Sequence, residues 1–295
     1  MTPEAMGTIG FIGAGTMGSG MITNLLKGGF AVRVFDVDAA KLDAVVAEGA
    51  LRGTDAVQLV RDCMFVLCSL PSSQVFVRVA EEALIPNART GQVFIDFGTT
   101  AVPEARRIAA LLEAREARLL DTPVSGSPRT QGFRVFIGGD KATAERCRPI
   151  FDAQTEPRFA VYCGPSGAGQ IVKGVNQLGM GLISAACMEA VAFGVASGVS
   201  PEIIGAAVGG DSGFRRDIGA MAAQAASGEA VKNDAKFAEL PYFLAQAHAA
   251  GFAIPLTQAL HTFCEPAARQ WRDNMNRPYV SFWHRLMHPH ARKAE

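Results

Sequence analysis

The sequence predicts a doubly wound α/β sheet followed by an all-α C-terminal domain. Short β-branched runs alternate with amphipathic segments through the first half, the signature of parallel strands joined by helices. A glycine turn, Gly13-Ala14-Gly15-Thr16-Met17-Gly18, stands between the first strand and the first helix. After Cys163-Gly164-Pro165 the strand-length punctuation stops and residues 167–198 are rich in Ala, Gly, Met and Val. Domains usually hold on the order of 100 to 200 residues, so 295 residues suit two of them, expected at 1–164 and 165–295.

Taken in order, Thr8 to Ile12, Ala31 to Phe35, Met64 to Leu70, Val93 to Phe97 and Leu119 to Thr122 are the expected strands. Met17 to Lys27, Ala39 to Ala47, Ser73 to Glu82 and Pro103 to Ala117 are the expected helices between them. Gly28-Gly29 closes the first helix and Pro103 opens the fourth, the usual asymmetry of helix ends. Arg134 to Gly138, a helical Lys141 to Phe151 and Phe159 to Cys163 extend the same layer, with right-handed crossovers. Residues 167–198 read as one long buried helix. Segments 201–208, 214–227, 235–250 and roughly 255–271 read as further helices, interrupted by Gly209-Gly210, Gly251 and Pro255. The basic end from His284 to Lys293 reads as a solvated tail.

Hydrophobic residues make up 49% of the chain and charged residues 19%, material for packed cores rather than disorder. Lys plus Arg balances Asp plus Glu at 28 each, so no overall field points to nucleic acid or an anionic membrane. No apolar stretch reads as a membrane span, and no leader pattern precedes the glycine turn. The six cysteines, at 63, 68, 147, 163, 187 and 264, form no CxxC pair and read as buried thiols of a reducing compartment. A cytoplasmic protein acting on a small ligand is the expectation. His284, His288 and His290 have a spacing that suits a metal, but Pro289 breaks the helix and no Cys or acid is near, so no metal site is expected.

Gly13, Gly15 and Gly18 form G-x-G-x-x-G after a strand and at the mouth of a helix, the context a dinucleotide fingerprint requires. The first glycine allows the tight turn, the second admits the pyrophosphate to the backbone, and the third lets helix and strand approach. The helix N-terminus attracts the phosphates. Asp36 follows at the end of the second strand, where an acid accepts hydrogen bonds from ribose hydroxyls and repels a 2′-phosphate, favouring NAD over NADP. The plainer role of capping the helix from Ala39 suits Asp38 better than Asp36.

The run Gly10-Phe11-Ile12-Gly13-Ala14-Gly15-Thr16-Met17-Gly18, followed by Asn24-Leu25 and Lys27-Gly28, resembles the opening of the β-hydroxyacid dehydrogenase family. Leu70-Pro71, Asp121-Thr122-Pro123-Val124-Ser125-Gly126 and Gly167-Ala168-Gly169-Gln170-Ile171-Val172-Lys173-Gly174-Val175-Asn176-Gln177 follow in the family's order. The resemblance implies a Rossmann-type dinucleotide-binding domain, a long interdomain helix, a helical substrate and oligomerisation domain, and an active site in the cleft between the two. It also implies residue roles. Within the cofactor-binding turn, which also holds Ala14 and Thr16, Gly13, Gly15, Met17 and Gly18 would line the pyrophosphate, and Leu70, Pro71 and Thr99 would contact the nicotinamide half. Ser125 and Gly126 would hold a substrate carboxylate, with Lys173 catalytic and Asn176 beside it. A homodimer or homotetramer built on the helical domain is implied as well.

Elementary chemistry supports the lysine. A lysine within the mostly apolar run Ile171 to Met180 is costly to bury unless it is paired or used. Lys173 and Asn176 lie about one helical turn apart, with Gln177 adjacent, so three polar groups converge. A hydroxyl that loses hydride must also lose a proton, and both burial and a positive nicotinamide favour the neutral amine that takes it. The plainer alternative is a lysine reaching from a helix edge into solvent.

Three departures from the family pattern stand out. Ser127-Pro128-Arg129-Thr130-Gln131 replaces a longer glycine and alanine stretch, and reads either as a pocket loop in which Arg129 meets an anion or as a surface turn on Ser127-Pro128. Ala238-Glu239-Leu240 stands where the family has a lysine approaching the cofactor, with Lys232 and Lys236 as possible substitutes. Gln177 stands where the family has a second asparagine. Phe214 and Arg215 are pocket candidates on the helical side, or a solvated helix start.

The function expected is an NAD-dependent oxidoreductase that interconverts a small β-hydroxy acid and its semialdehyde, with Lys173 as general acid and base. A reductase of another carbonyl or an imine on the same scaffold, and a noncatalytic NAD-responsive binding protein, are the alternatives.

Overall fold

The computed structural model describes residues 2–232, 234–235, 239–264, 271–272, 278–279 and 281–288. They form two compact units, residues 1–174 and 175–295.

The first unit begins with a short helix α1 (Pro3–Met6) and strand β1 (Ile9–Ile12). There follow α2 (Thr16–Lys27), β2 (Val32–Phe35), α3 (Ala39–Ala47), β3 (Leu51–Arg52), α4 (Ala56–Asp62), β4 (Phe65–Cys68), α5 (Ser73–Val79), α6 (Ile85–Asn87) and β5 (Val93–Asp96). Then come α7 (Val102–Glu113), β6 (Arg118–Asp121), β7 (Val124–Ser125), β8 (Arg134–Gly138), α8 (Lys141–Arg146), α9 (Arg148–Gln154) and β9 (Ala160–Gly164). The strand order is β3-β2-β1-β4-β5-β6-β8-β7, with β9 beside β8. From β3 to β6 every pairing is parallel, while β8 runs antiparallel to β6 and β7. Because β1 lies between β2 and β4, the crossovers diverge from it, and a crevice opens beyond its carboxyl end.

Both faces of the sheet are buried, and the period of two assigns residues to them. Ile9, Phe11, Phe65, Leu67, Val93 and Ile95 pack on one side with Met21, Ile22 and Leu25 of α2. Ile12, Val66, Cys68 and Phe94 pack on the other with Leu59, Ile108 and Leu112 of α4 and α7. The pair β3 and α4 was not expected from the sequence, yet its start is written there. Asp55 accepts the Gln58 N–H at 2.8 Å while Gln58 Oε1 accepts the Thr54 N–H at 2.7 Å, a reciprocal N-terminal cap. The expected helix from Lys141 to Phe151 is broken at Cys147, since Pro149 sits in the first turn of a new helix. Cys63, Cys68, Cys147 and Cys187 are buried free thiols and Cys163 a half-buried one; burial pushes Cys147 up to about 12.

A helix of 29 residues, α10 (Ala168–Ala196), starts in the first unit and continues through the second. The division at Gly174 lies beyond the expected 164/165 because the first turns of α10 are bound to the sheet. A Cβ at Gly169 would lie 2.4 Å from both Asp121 O and Phe136 O, and one at Gly138 would lie 2.6 Å from Gly169 N. Only glycine permits that approach.

The second unit adds α11 (Pro201–Val208), α12 (Gly213–Ala226), α13 (Leu240–Ala249), α14 (Pro255–Cys264) and α15 (Phe282–Met287). Met188, Val191 and Ala192 of α10, Ile218, Met221 and Ala222 of α12, Leu260, Phe282 and Trp283 make its core. Three expectations change. Helix α13 begins at Leu240 rather than 235, with Pro241 in its first turn. The helix expected to run to about 271 is described only as far as Cys264, and Trp271–Arg272 (β10) pairs antiparallel with Pro278–Tyr279 (β11). The basic end is not wholly a solvated tail: His284 to Met287 are half-buried in α15, Leu286 and Met287 pack against the core of the second unit, and Ser281 caps the helix through the His284 N–H. Residues 289–293 of that expected tail lie outside the described residues.

Candidate active site

The glycine turn sits at the crevice beyond β1. Gly13 has φ +100°, and a Cβ there would lie 2.3 Å from Ser69 O at the end of β4. A Cβ at Gly18 would lie 2.0 Å from Gly13 O, so this glycine lets α2 fold back on its own strand. Gly15 differs, because a Cβ there would meet nothing within 4 Å. Gly15 is also the N-cap of α2, and no side chain caps the helix. The first N–H groups of α2 therefore face open space with the positive end of the helix behind them, which fits a pyrophosphate. Thr16 is exposed, Ala14 is buried, and Met17 is half-buried against the core.

Asp36 closes one side of this turn. Its Oδ2 accepts the Ala14 N–H at 2.6 Å and its Oδ1 accepts the Asp38 N–H at 2.8 Å. The carboxylate is thus tied to the fingerprint itself. Helix capping falls to Asp38, which accepts from Ala40 and Lys41 and pairs with the Lys41 ammonium at 3.1 Å.

Two acids to which no role was assigned from the sequence lie at the carboxyl ends of neighbouring strands. Asp96 and Asp121 are register partners on β5 and β6 and both are buried. Asp96 accepts from Gly98 N at 2.8 Å and Thr100 Oγ1 at 2.6 Å, shaping the loop that carries Thr99. Asp121 Oδ1 accepts from Gly167 N at 2.7 Å and Oδ2 from Gln170 N at 3.1 Å, holding the start of α10. Burial pushes Asp96 up to about 7, against the pull of its Thr100 and Gly98 hydrogen bonds, and the Asp121 charge raises it further. Burial likewise pushes Asp121 up to about 6, against its backbone donors. The signal was a lone Asp ending each of the apolar runs Val-Phe-Ile-Asp and Leu-Leu-Asp.

Lys173 is buried, at 8% exposure, and its Nζ donates to Val124 O at 2.8 Å. The alternative of a solvent-reaching lysine is thereby removed. Val124 and Ser125 form β7, paired with Val135 and Arg134 of β8, and Gly126 turns away with φ +87°. The lysine nitrogen and the Ser125-Gly126 segment therefore meet at one strand end. Asn176 follows on the same helix and donates to Met180 Sδ at 3.5 Å. Gln177 Oε1 is buried without a hydrogen-bond partner among the described residues. Leu70 and Thr99 are half-buried and Pro71 exposed, each just beyond a strand end.

The loop 127–131 is docked rather than loose. Pro128 is buried, its carbonyl accepts from Asn24 Nδ2 at 3.0 Å, and a Cβ at Gly20 would lie 2.7 Å from its ring. Arg129 donates to Ser19 Oγ at 2.9 Å, so its guanidinium lies along α2. In the helical unit, Phe214 is exposed, and Arg215 lies over its ring at 5.4 Å and donates to Val208 O. Lys232 ends a short 3-10 turn, whereas Lys236 and Ala238 lie outside the described residues, as does His290. Among the described residues no three His, Cys, Asp or Glu side chains gather as a metal site would need.

A family model described as the NAD binding domain of 6-phosphogluconate dehydrogenase matches residues 8–164. An NAD-dependent L-serine dehydrogenase of Pseudomonas aeruginosa is 35% identical over 204 residues, 68% of this chain and 68% of its own. A 3-hydroxyisobutyrate dehydrogenase of the same organism is 32% identical over 204 residues, again 68% of each chain. The solved structure of Mycobacterium tuberculosis 3-hydroxyisobutyrate dehydrogenase with L-serine matches with a TM-score of 0.72 at 24% identity, covering 97% of this chain and 100% of that one, a likeness of fold. A family model that takes in the glycine turn, together with relatives at 35% and 32% identity over 68% of the chain, leaves one conclusion: the chain belongs to the β-hydroxyacid dehydrogenase family, and its cofactor is NAD.

Proposed function

We propose that this oxidoreductase reversibly converts a small β-hydroxy acid, of the kind represented by L-serine or 3-hydroxyisobutyrate, to its semialdehyde, with Lys173 as general acid and base. The observation that carries the reading is the buried Lys173 nitrogen held 2.8 Å from Val124 O, beside Ser125 and Gly126. NAD, when bound, accepts the hydride from the carbinol carbon. Lys173 takes the hydroxyl proton in oxidation and returns it in reduction. A backbone carbonyl is a suitable anchor for that task, because amine and ammonium both donate to it and Nζ stays in place as the proton moves. Ser125 and Gly126 bind the carboxylate of the substrate, and Asn176 orients the hydroxyl or the lysine. The first turn of α2 and Gly13, Ala14, Gly15, Thr16, Met17 and Gly18 hold the pyrophosphate, Asp36 the ribose, and Leu70, Pro71 and Thr99 the nicotinamide half.

Initial rates with L-serine and 3-hydroxyisobutyrate, each with NAD and NADP, test this reading. Wild-type protein should turn over at least one acid and prefer NAD, and Lys173→Ala should abolish turnover while NADH fluorescence titrates as before. Retained turnover in the variant would sink the lysine mechanism, and a preference for NADP would sink the role of Asp36.

A homodimer or homotetramer and a cytoplasmic location complete the proposal. Helix α10 leaves Val175, Met180, Ile183 and Phe193 exposed, the last at 75%. Helix α10 has the length and composition to cross a membrane, although it holds no uninterrupted apolar run of that length. Lys173 and Glu189 within it, and the Gly169 approach to the sheet, favour association between copies instead. Light scattering of protein purified without detergent decides, a monomer speaking against the assembly, and cell fractionation checks the location.

A further inference from the structure

Gln170 is wholly buried and spends both ends of its side-chain amide on one short loop. Its Oε1 accepts the Thr100 N–H at 3.1 Å and its Nε2 donates to Gly98 O at 3.0 Å. These are the backbone groups on either side of Thr99. The amide therefore does for this loop what a neighbouring strand would do, satisfying one acceptor and one donor at once. Among side chains of this length only an amide presents that pair: a carboxylate cannot donate, and a thioether of the same length does neither well.

The same residue is built into the start of α10. Its main-chain N–H goes to Asp121 Oδ2, and one turn further along the helix Lys173 reaches Val124 O. Asp96 holds the far side of the loop, through Gly98 N and Thr100 Oγ1, and the Asp96 carbonyl receives Thr122 N at 2.7 Å and Thr122 Oγ1 at 3.0 Å. The loop that carries Thr99 is thus clamped between a strand end and a helix turn, and the helix-side jaw is one side chain. Were Gln170 only filling space, its amide would need no second partner on the same loop, and an apolar residue would serve as well at a fully buried position.

We propose that Gln170 is a positioning residue that sets the nicotinamide-side loop at Thr99 in register with Lys173, so that hydride and proton leave the same substrate in one geometry. This rests on the reading of Thr99 and Lys173 given above. A misplacement of about 1 Å in such an arrangement is enough to cost roughly a hundredfold in rate.

The test uses the full chain with Gln170→Met, of matching length without the amide, and Gln170→Glu, which donates to Gly98 O only while protonated. In cofactor-free protein, hydrogen exchange of the 97–101 segment should rise roughly tenfold in Gln170→Met, the effect of losing a backbone hydrogen bond. Bound NADH should keep its affinity within about threefold, because the contacts of α2 and Asp36 are untouched, yet its nicotinamide fluorescence should move toward that of free NADH. With 3-hydroxyisobutyrate or L-serine deuterated at the carbinol carbon, kcat should fall by roughly ten- to a hundredfold with an enlarged isotope effect, and KM should change little. Gln170→Glu should recover rate as pH is lowered, a limb absent from the wild-type profile. A folded Gln170→Met protein with wild-type exchange at 97–101 and unaltered nicotinamide fluorescence would overturn the proposal. Should that variant fail to fold, a pH profile of Gln170→Glu parallel to wild type would do the same. Failure of the lysine mechanism shows separately, as turnover by Lys173→Ala.

Discussion

Gln170 gives its backbone N–H to Asp121 Oδ2 at 3.1 Å, while Gly167 gives its own to Oδ1 at 2.7 Å, so one buried carboxylate holds the first turn of α10. A helix starts with N–H groups that have no partner within it, and a carboxylate at the end of β6 satisfies two of them from below. The direction of α10, and with it the placement of Lys173, is thereby set by a strand. Asp121→Ala leaves both donors buried and unmet. The expected cost is ~2–4 kcal/mol, seen as a melting temperature lower by about 5–10 °C, with turnover lost in proportion to the displaced lysine. Asp121→Asn keeps one acceptor and should lose less than half as much. Thermal melts and initial rates on the two variants check this, and equal melting of Asp121→Ala and wild type would contradict it.

The glycines of the fingerprint separate by what their missing side chains would touch. Gly15 has φ −64°, which alanine adopts without strain, and open space where its Cβ would stand. Gly15→Ala should fold and melt as wild type, yet bind NADH roughly ten- to a hundredfold more weakly, because the methyl enters the volume a pyrophosphate needs. Gly18→Ala should instead unfold more easily, by ~1–3 kcal/mol or more, since its methyl would lie 2.0 Å from Gly13 O. NADH titration beside a melt distinguishes the two, and normal binding by Gly15→Ala would refute the assignment of that space to the cofactor.

Asp96 makes stability depend on pH in a direction opposite to an exposed carboxylate. Its folded value is raised from 3.8 to about 7, so the native state keeps a proton that the unfolded chain releases between those values. The stability this group contributes is therefore full below about pH 4 and is lost as pH rises to about 7, beyond which the curve is flat. Asp121, raised to about 6, adds to the same slope. Asp96→Asn keeps an acceptor for the Gly98 N–H and never ionises. Urea denaturation from pH 5 to 8 should show wild type weakening across that range and the variant weakening less, with the variant at least as stable at pH 8. A parallel decline of the two proteins would dismiss Asp96 as the titrating group.

Much of the molecule was legible from local pattern. The glycine turn was readable because strand, turn and helix each announce themselves within a few residues, and the alternation around it named the sheet class. The acid at Asp36 followed from its distance in sequence. Lys173 was visible because a charge in an apolar helical run must be held or used. The helix α4 was missed although Asp55 and Gln58 spell its cap, because two-residue β3 gives no periodic signal ahead of it. The strand at Trp271–Arg272 and the docking of α15 were missed where helical periodicity was weak and burial depended on distant partners.

What the sequence by itself determined is therefore the class of sheet, the dinucleotide turn with its acid, and the identity of the buried lysine, all features with short-range causes. Only the tertiary structure decided what holds them together. Asp96 and Asp121 become neighbours through the register of β5 and β6, and Gln170 meets Gly98 and Thr100 across a separation of about seventy residues. Pro128 settles against Gly20 for the same kind of reason. Hydrogen bonds between buried groups far apart in the chain leave no periodic trace, because each partner alone is an ordinary Asp, Gln or Gly, and only the fold brings donor to acceptor.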